Sequence, residues 1–139
     1  MSEAQNTQVV KDAYAAFGRG DVNAILASLD DNVEWEGVKG AEGVAPHAGL
    51  RRGKAAVGEL FKIVGSTLDF LVFQPKEFVA QGDMVVAIGS YKATVKATQR
   101  VAESDWAMVF TFRNGKIARF REFTDSAAVV RAYGATVAA

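Results

Sequence analysis

Hydrophobic positions recur with a helical period in the first part of the chain and alternate in the manner of strands through most of the rest. From Glu3 to Phe17 the apolar residues Val9, Val10, Ala13, Tyr14 and Phe17 fall on one helical stripe, and Gly18 and Gly20 stop it. Asp21 is a good N-cap for a short second helix with Val22, Ile25, Leu26 and Leu29 on its inner face, ended by Asp30, Asp31 and Asn32. Val33 to Glu36 reads as a short strand. The glycine-rich stretch from Gly37 to Gly53 reads as a long loop, and loops of that length are usually functional or mobile. A third helix is predicted near Lys54 to Thr67, with Val57, Leu60, Phe61, Val64 and Leu68 in register.

The remainder reads mostly as strand. Asp69 to Phe73 and Lys76 to Ala80 flank Pro75, and Gly82-Asp83 is a turn. Met84 to Ala97 is one long β-rich run. Its first half is apolar on both faces, and from Ser90 polar residues alternate with Tyr91, Ala93 and Val95, so Gly89 at the changeover marks a bend or bulge. Trp106 to Phe112 and Lys116 to Phe123 form a hairpin around Asn114-Gly115, and Asp125 or Ser126 caps a last short helix. Helices followed by a meander of antiparallel strands imply an α+β fold. We expect a strongly curved antiparallel sheet whose concave side is covered by three to four helices, a cone enclosing an apolar pocket. With no repeat or linker, residues 1–139 read as a single domain.

Composition narrows the function. Sixteen basic residues balance sixteen acidic ones, so no general attraction draws the chain to nucleic acid or to an anionic membrane. No 18-residue apolar span is present, and the polar stretch Met1 to Gln8 is not a signal peptide. The absence of cysteine excludes disulfides, thiolate metal sites and a cysteine nucleophile, and fits a cytoplasmic protein. His47 is the one histidine, which rules out a histidine-rich metal cluster, and no loop gathers enough carboxylates for a hard cation; no metal is expected. The segment Gly49 to Lys54 has three residues between its glycines and Ala55 after the lysine, so it is not a phosphate loop.

Several ordered segments resemble the nuclear transport factor 2-like superfamily in its SnoaL-like, ketosteroid-isomerase-related branch. They are Val10 to Asp21, Leu29 to Trp35, the Gly53 to Val57 helix start, Asp105 to Phe110, Gly115 to Ile117 and Arg121 to Asp125. Together they span nearly the whole chain. The resemblance implies a cone of helices and curved sheet, dimerisation through the sheet, and small apolar ligands. It also implies a choice among isomerases, cyclases, dehydratases, epoxide hydrolases and non-catalytic relatives. Steroid isomerases of this kind carry an Asp base near position 35, a Tyr on the first helix and an Asp near position 108. Here Trp35 and Met108 occupy the two Asp positions, and Tyr14 lies one residue off register. The epoxide hydrolases' Arg-x-Asp pairing is not visible either.

The hairpin register decides which side chains face inward. A three-residue loop of Arg113, Asn114 and Gly115 pairs Phe112 with Lys116, Phe110 with Ala118, Met108 with Phe120 and Trp106 with Glu122. A two-residue turn would instead turn Arg119 and Arg121 inward, which costs more than burying one carboxyl group. The first register, also favoured by the resemblance, makes Glu122 the one carboxyl group on an apolar inner face and raises its pKa toward that of a general acid or base. The other candidates for catalysis are Tyr14, Asp125 and His47. Asp125 is fully explained as a helix cap, and His47 as a solvated loop residue. Phe17, Trp35, Phe61, Tyr91, Trp106, Met108, Phe110 and Phe120 are candidate ligand contacts, with core packing as their alternative role. Two functions remain open: an acid–base enzyme, needing no cofactor, that acts on a small apolar oxygenated molecule, and a non-catalytic ligand-binding or dimeric scaffold module. A homodimer through the outer sheet face, with Ala107, Val109 and Thr111 upon it, is expected in either case.

Overall fold

Ser2 opens the first helix, α1 (Glu3–Gly18), with a reciprocal cap: Gln5 N–H donates to Ser2 Oγ (3.1 Å), and Ser2 N–H donates to the Gln5 side chain (2.8 Å). The computed structural model describes residues 2–135. Asp21 caps α2 (Val22–Ala27) by accepting from Ala24 N–H at 3.1 Å. The chain continues through β1 (Leu29–Gly37), β2 (Gly49–Arg52), α3 (Lys54–Thr67), β3 (Leu68–Gln81), β4 (Met84–Val95), β5 (Arg100–Arg113), β6 (Lys116–Thr124) and α4 (Ser126–Ala132). The six strands form one open sheet in the order β2-β1-β6-β5-β4-β3. The α+β architecture is as the sequence implied. All neighbours are antiparallel except β1 and β6, which run parallel.

Several boundaries differ from the expectation, for tertiary reasons. Leu29 belongs to β1 rather than α2, and Asp30 to Asn32 continue that strand instead of stopping a helix. Pairing with β6 wins here: Leu29 lies opposite Ile117, Ile117 N–H donates to Ser28 O (2.9 Å), and Arg113 donates to Asp30 Oδ2 (2.7 Å). The glycine-rich loop contains β2, a short strand paired with β1. Pro75 does not divide β3, because Pro is tolerated on an edge strand at an irregularity, and β3 is an edge strand with register shifts at Leu71 and Lys76. The second shift falls opposite Gly89, the position at which a bend or bulge was expected.

The β5–β6 turn is the main correction. Arg113 pairs with Lys116, so the loop has two residues, Asn114 (φ 52°) and Gly115 (φ 76°), the left-handed pair that a tight hairpin requires. That turn alone would send Arg119 and Arg121 inward. A bulge at Ala118 reverses the phase: Phe112 pairs with Ile117 but Thr111 pairs with Arg119. Beyond it Phe110 lies opposite Phe120, Met108 opposite Glu122 and Trp106 opposite Thr124. The inner face therefore still carries Phe120 and Glu122, each paired with a residue two positions away from the one expected.

The concave face holds the core. Trp106, Leu29, Ile117, Val10, Val33, Val57, Val85 and Val95 are among the fully buried side chains. Trp106 lies directly over Gly89: a Cβ there would sit 2.5 Å from the indole Cζ2 and 2.3 Å from Gln74 O. Gly89→Ala must displace both a backbone carbonyl and a packed ring, so a loss of about 3 kcal/mol in urea unfolding is expected. An unchanged midpoint would show that Trp106 does not rest on this glycine.

Candidate functional site

The helices and the curved sheet leave a cavity of about 130 Å³ between them, open to solvent over part of its boundary. Its wall is built in layers. Tyr14 and Phe17 come from α1, Phe61 and Val64 from α3, Trp35 from β1, Phe70 and Phe73 from β3, and Tyr91 from β4. Met108 and Phe110 of β5 and Phe120, Glu122 and Thr124 of β6 complete the sheet side. Alternation delivers every second residue of each strand to this face. The loop between β1 and β2, with Val38 and His47, and Val129 and Tyr133 of the last helix and its C-cap complete the lining.

Of the sequence candidates, all line this cavity except Asp125 and Trp106. Asp125 is exposed and accepts from Ala128 N–H at 3.2 Å as the N-cap of α4. Trp106 stands behind the wall. The rings of Tyr14 and Phe73 lie against it at 5.6 Å and 5.3 Å and within 6.0 Å of one another, so both cover the same side of the indole. Trp35 stacks on Phe120 at 3.8 Å and 15°.

The polar groups differ in what they have left to offer. Tyr14 donates its hydroxyl to Met108 Sδ at 3.0 Å, and burial together with the Glu122 charge holds its pKa well above the ordinary tyrosine value. Tyr91 is 9% exposed, and burial, with Glu122 and Asp125 nearby, pushes its pKa up to about 12. Thr124 lies beside it and favours its ionised form, yet the two hydroxyls do not reach hydrogen-bond geometry, and Thr124 donates to Asp105 O instead (2.9 Å). His47 is pushed down to about 4 by burial and by the neighbouring Arg51 charge, so it is a neutral imidazole, with Nδ1 buried and unpartnered. This corrects the expectation of a solvated loop histidine.

Among the described residues, Glu122 is the one Asp or Glu on the cavity wall. Burial among apolar side chains pushes its pKa up to about 7, against the pull of the Val38 backbone amide, which favours the ionised form. It retains some accessible surface, yet protein atoms enclose it, and that enclosure sets its charge. The loop above it is held in an unusual shape. Val38 has φ 40°, a region that β-branched residues avoid. A Cβ at Gly37 would stand 3.3 Å from His47 O and 3.7 Å from Glu122 Oε1. Arg51 clasps the loop from outside, donating to the carbonyls of Pro46 (2.9 Å), His47 (3.2 Å) and Ala48 (3.4 Å).

Thr124 and Tyr133 were not singled out from the sequence. Both had a signal: Thr124 follows Glu122 by two on one strand, and Tyr133 follows Val129 by four at the end of a helix. Val38, in the loop after β1, had none. Among the described residues no group of three or more His, Asp or Glu comes together as a metal site, and no helix is long and apolar enough to cross a membrane.

The sequence matches the SnoaL-like domain family over residues 10–120. No curated protein matches it. Among solved structures, an NTF2-like protein from Burkholderia xenovorans LB400 is 38% identical with a TM-score of 0.85, over 96% of this chain and 98% of that one. An NTF2-like protein from Burkholderia thailandensis E264 is 30% identical with a TM-score of 0.82, over 95% and 98%. TerC, co-crystallised with polyporic acid, is 26% identical with a TM-score of 0.80, over 94% and 99%.

The Glu122 shift carries a stability consequence. A carboxyl group whose pKa is raised on folding, here from 4.5 to about 7, binds its proton more tightly in the folded state. Its favourable contribution is complete below pH 4.5 and is lost as pH rises through 7. Glu122→Gln should therefore gain stability relative to wild type across that window, by up to about 3 kcal/mol, and the difference should level off above it. Denaturant unfolding of both proteins at several pH values measures this. Parallel pH profiles would mean that Glu122 is not held in an apolar setting.

Proposed function

The chain belongs to the SnoaL-like domain family, and from its cavity we propose that it carries out acid–base chemistry on a small apolar molecule bearing oxygen. The supporting observation is Glu122: a single carboxyl group on an apolar wall, with a pKa near 7, is ready both to take and to give a proton at neutral pH. Isomerisation, cyclisation, dehydration and hydrolysis each need such a group at the reacting atom. Tyr91 is the better hydroxyl for orienting the substrate, because the Tyr14 proton is already directed at Met108. A cytoplasmic location accords with the lack of cysteine.

A second reading, a binding module without turnover, is favoured by the Trp35–Phe120 stack and by Met108 where the isomerases carry acids. A turnover screen over cyclic ketones, enones and epoxides separates the two. In the catalytic case, Glu122→Gln loses at least about a hundredfold in kcat/KM. If Glu122 acts as a base, wild-type kcat/KM rises with pH through about 7; if it acts as an acid, it falls through the same value. Equal turnover by both proteins removes Glu122 from the chemistry, and none by either supports the binding module.

The proposed homodimer has a physical basis on the outer sheet face. Val79 (59% exposed), Met84 (40%), Ile88 (37%) and Phe123 (45%) are apolar and accessible. Val79, Val86 and Val109 lie side by side across β3, β4 and β5, and Ile88, Ala107 and Phe123 across β4, β5 and β6. Light scattering should give about twice 14.8 kDa, and Ile88→Lys should return it to the single-chain mass. A wild-type mass of 14.8 kDa at micromolar concentration would count against the dimer.

A further inference from the structure

Three side chains on the cavity wall keep buried polar atoms that nothing among the described residues satisfies: Tyr91 Oη, Tyr133 Oη and His47 Nδ1. Buried polar groups in folded proteins are overwhelmingly hydrogen-bonded, so several orphans on one wall are an exception that asks for a partner. They come from three different elements. Tyr91 is on β4, Tyr133 caps α4, and His47 is in the loop after β1, with its ring 6.4 Å from that of Tyr133. Two of the three segments that carry them are held by contacts outside the cavity. Arg51 fixes the His47 loop, and Arg100 donates to Arg131 O (3.2 Å) on the last turn of α4. On the other side of the cavity the Tyr14 proton is already taken.

We infer that Tyr91, Tyr133 and His47 form a subsite that receives the oxygen of an uncharged, single-ring ligand. The inference rests on the reading that the cavity holds a small molecule, and it names that molecule's class. The hydroxyls are neutral donors, and the imidazole offers one nitrogen for donation or acceptance, which suits a carbonyl or hydroxyl oxygen. Among the described residues no lysine or arginine lines the cavity, so a carboxylate or phosphate would find no counter-charge and would meet Glu122. The size follows from the volume. At about 130 Å³ the cavity is close to one of about 150 Å³ that holds benzene, and below the roughly 300–1,000 Å³ of pockets for drug-sized ligands. One ring with a short oxygenated substituent fits this volume, with its oxygen toward Tyr91, Tyr133 and His47.

The test uses probes that share one ring size: acetophenone, ethylbenzene, benzoate and benzylammonium, with 2-acetylnaphthalene as the two-ring control. Dissociation constants come from NMR titration of the intact protein. Acetophenone should bind about tenfold more tightly than ethylbenzene, and the two ions and the naphthyl ketone more weakly than acetophenone. Tyr91→Phe and Tyr133→Phe should each erase most of the acetophenone advantage and leave ethylbenzene binding unchanged, which shows that the variants still fold. Equal binding of ethylbenzene and acetophenone, or an advantage untouched in both variants, overturns the subsite while leaving the pocket reading in place. Tighter binding of benzoate, benzylammonium or the naphthyl ketone overturns the ligand class. Failure of every probe to bind overturns the inference and the pocket reading together.

Discussion

The extra residue at Ala118 decides where every side chain beyond it on β6 points. Without the bulge, the tight Asn114-Gly115 turn would carry Arg119 and Arg121 onto the concave face and Phe120 and Glu122 onto the convex one. Two guanidiniums inside an apolar cone, with no acid but their own displaced neighbour, would cost several kcal/mol each. One inserted residue costs a local break in the ladder and returns the strand to the required phase. The cavity wall, the inward carboxyl group and the charged outer flank of the sheet all follow from that choice.

The rest of the site is arranged around the resulting carboxyl group. Aromatic rings make the wall apolar, which raises the Glu122 pKa toward neutrality. The chain immediately after β1 counters this in part, bringing the Val38 amide to the carboxyl group through a backbone shape that a β-branched residue rarely takes. Such strain persists only where surrounding contacts over-determine it; here Val38 is buried and its carbonyl accepts from Ala41 N–H at 3.1 Å. The absence of a side chain at Gly37 lets the loop and Glu122 approach each other. The site is therefore a joint product of sheet phase and loop conformation.

On the cavity wall Trp35 is part of an aromatic stack and Met108 accepts the Tyr14 proton. Unused hydrogen-bonding capacity remains at Tyr91, Tyr133 and His47, which come from three different elements, and function resides in such side chains rather than in the fold that carries them.

Much of this was legible in the chain alone. The stripe from Val9 to Phe17, the caps Asp21 and Asp125, the register of α3 and the alternation from Ser90 onward are local signals, set by a period of 3.6 or 2 and by capping chemistry within a few residues. The preference for Glu122 over Arg119 and Arg121 on the inner face was legible too, because desolvation costs depend on residue type. Other features needed a partner distant in sequence. Leu29 to Asn32 become strand only because Ile117 and Arg113 await them, and Pro75 stays within β3 only because that strand lies at the edge. Trp106 looked like a ligand contact until Tyr14 and Phe73 were seen to cover it. Which residues alternate is written in the sequence; which strand they face, and what lies between them and the cavity, is fixed only when segments far apart in the chain compete for the same space.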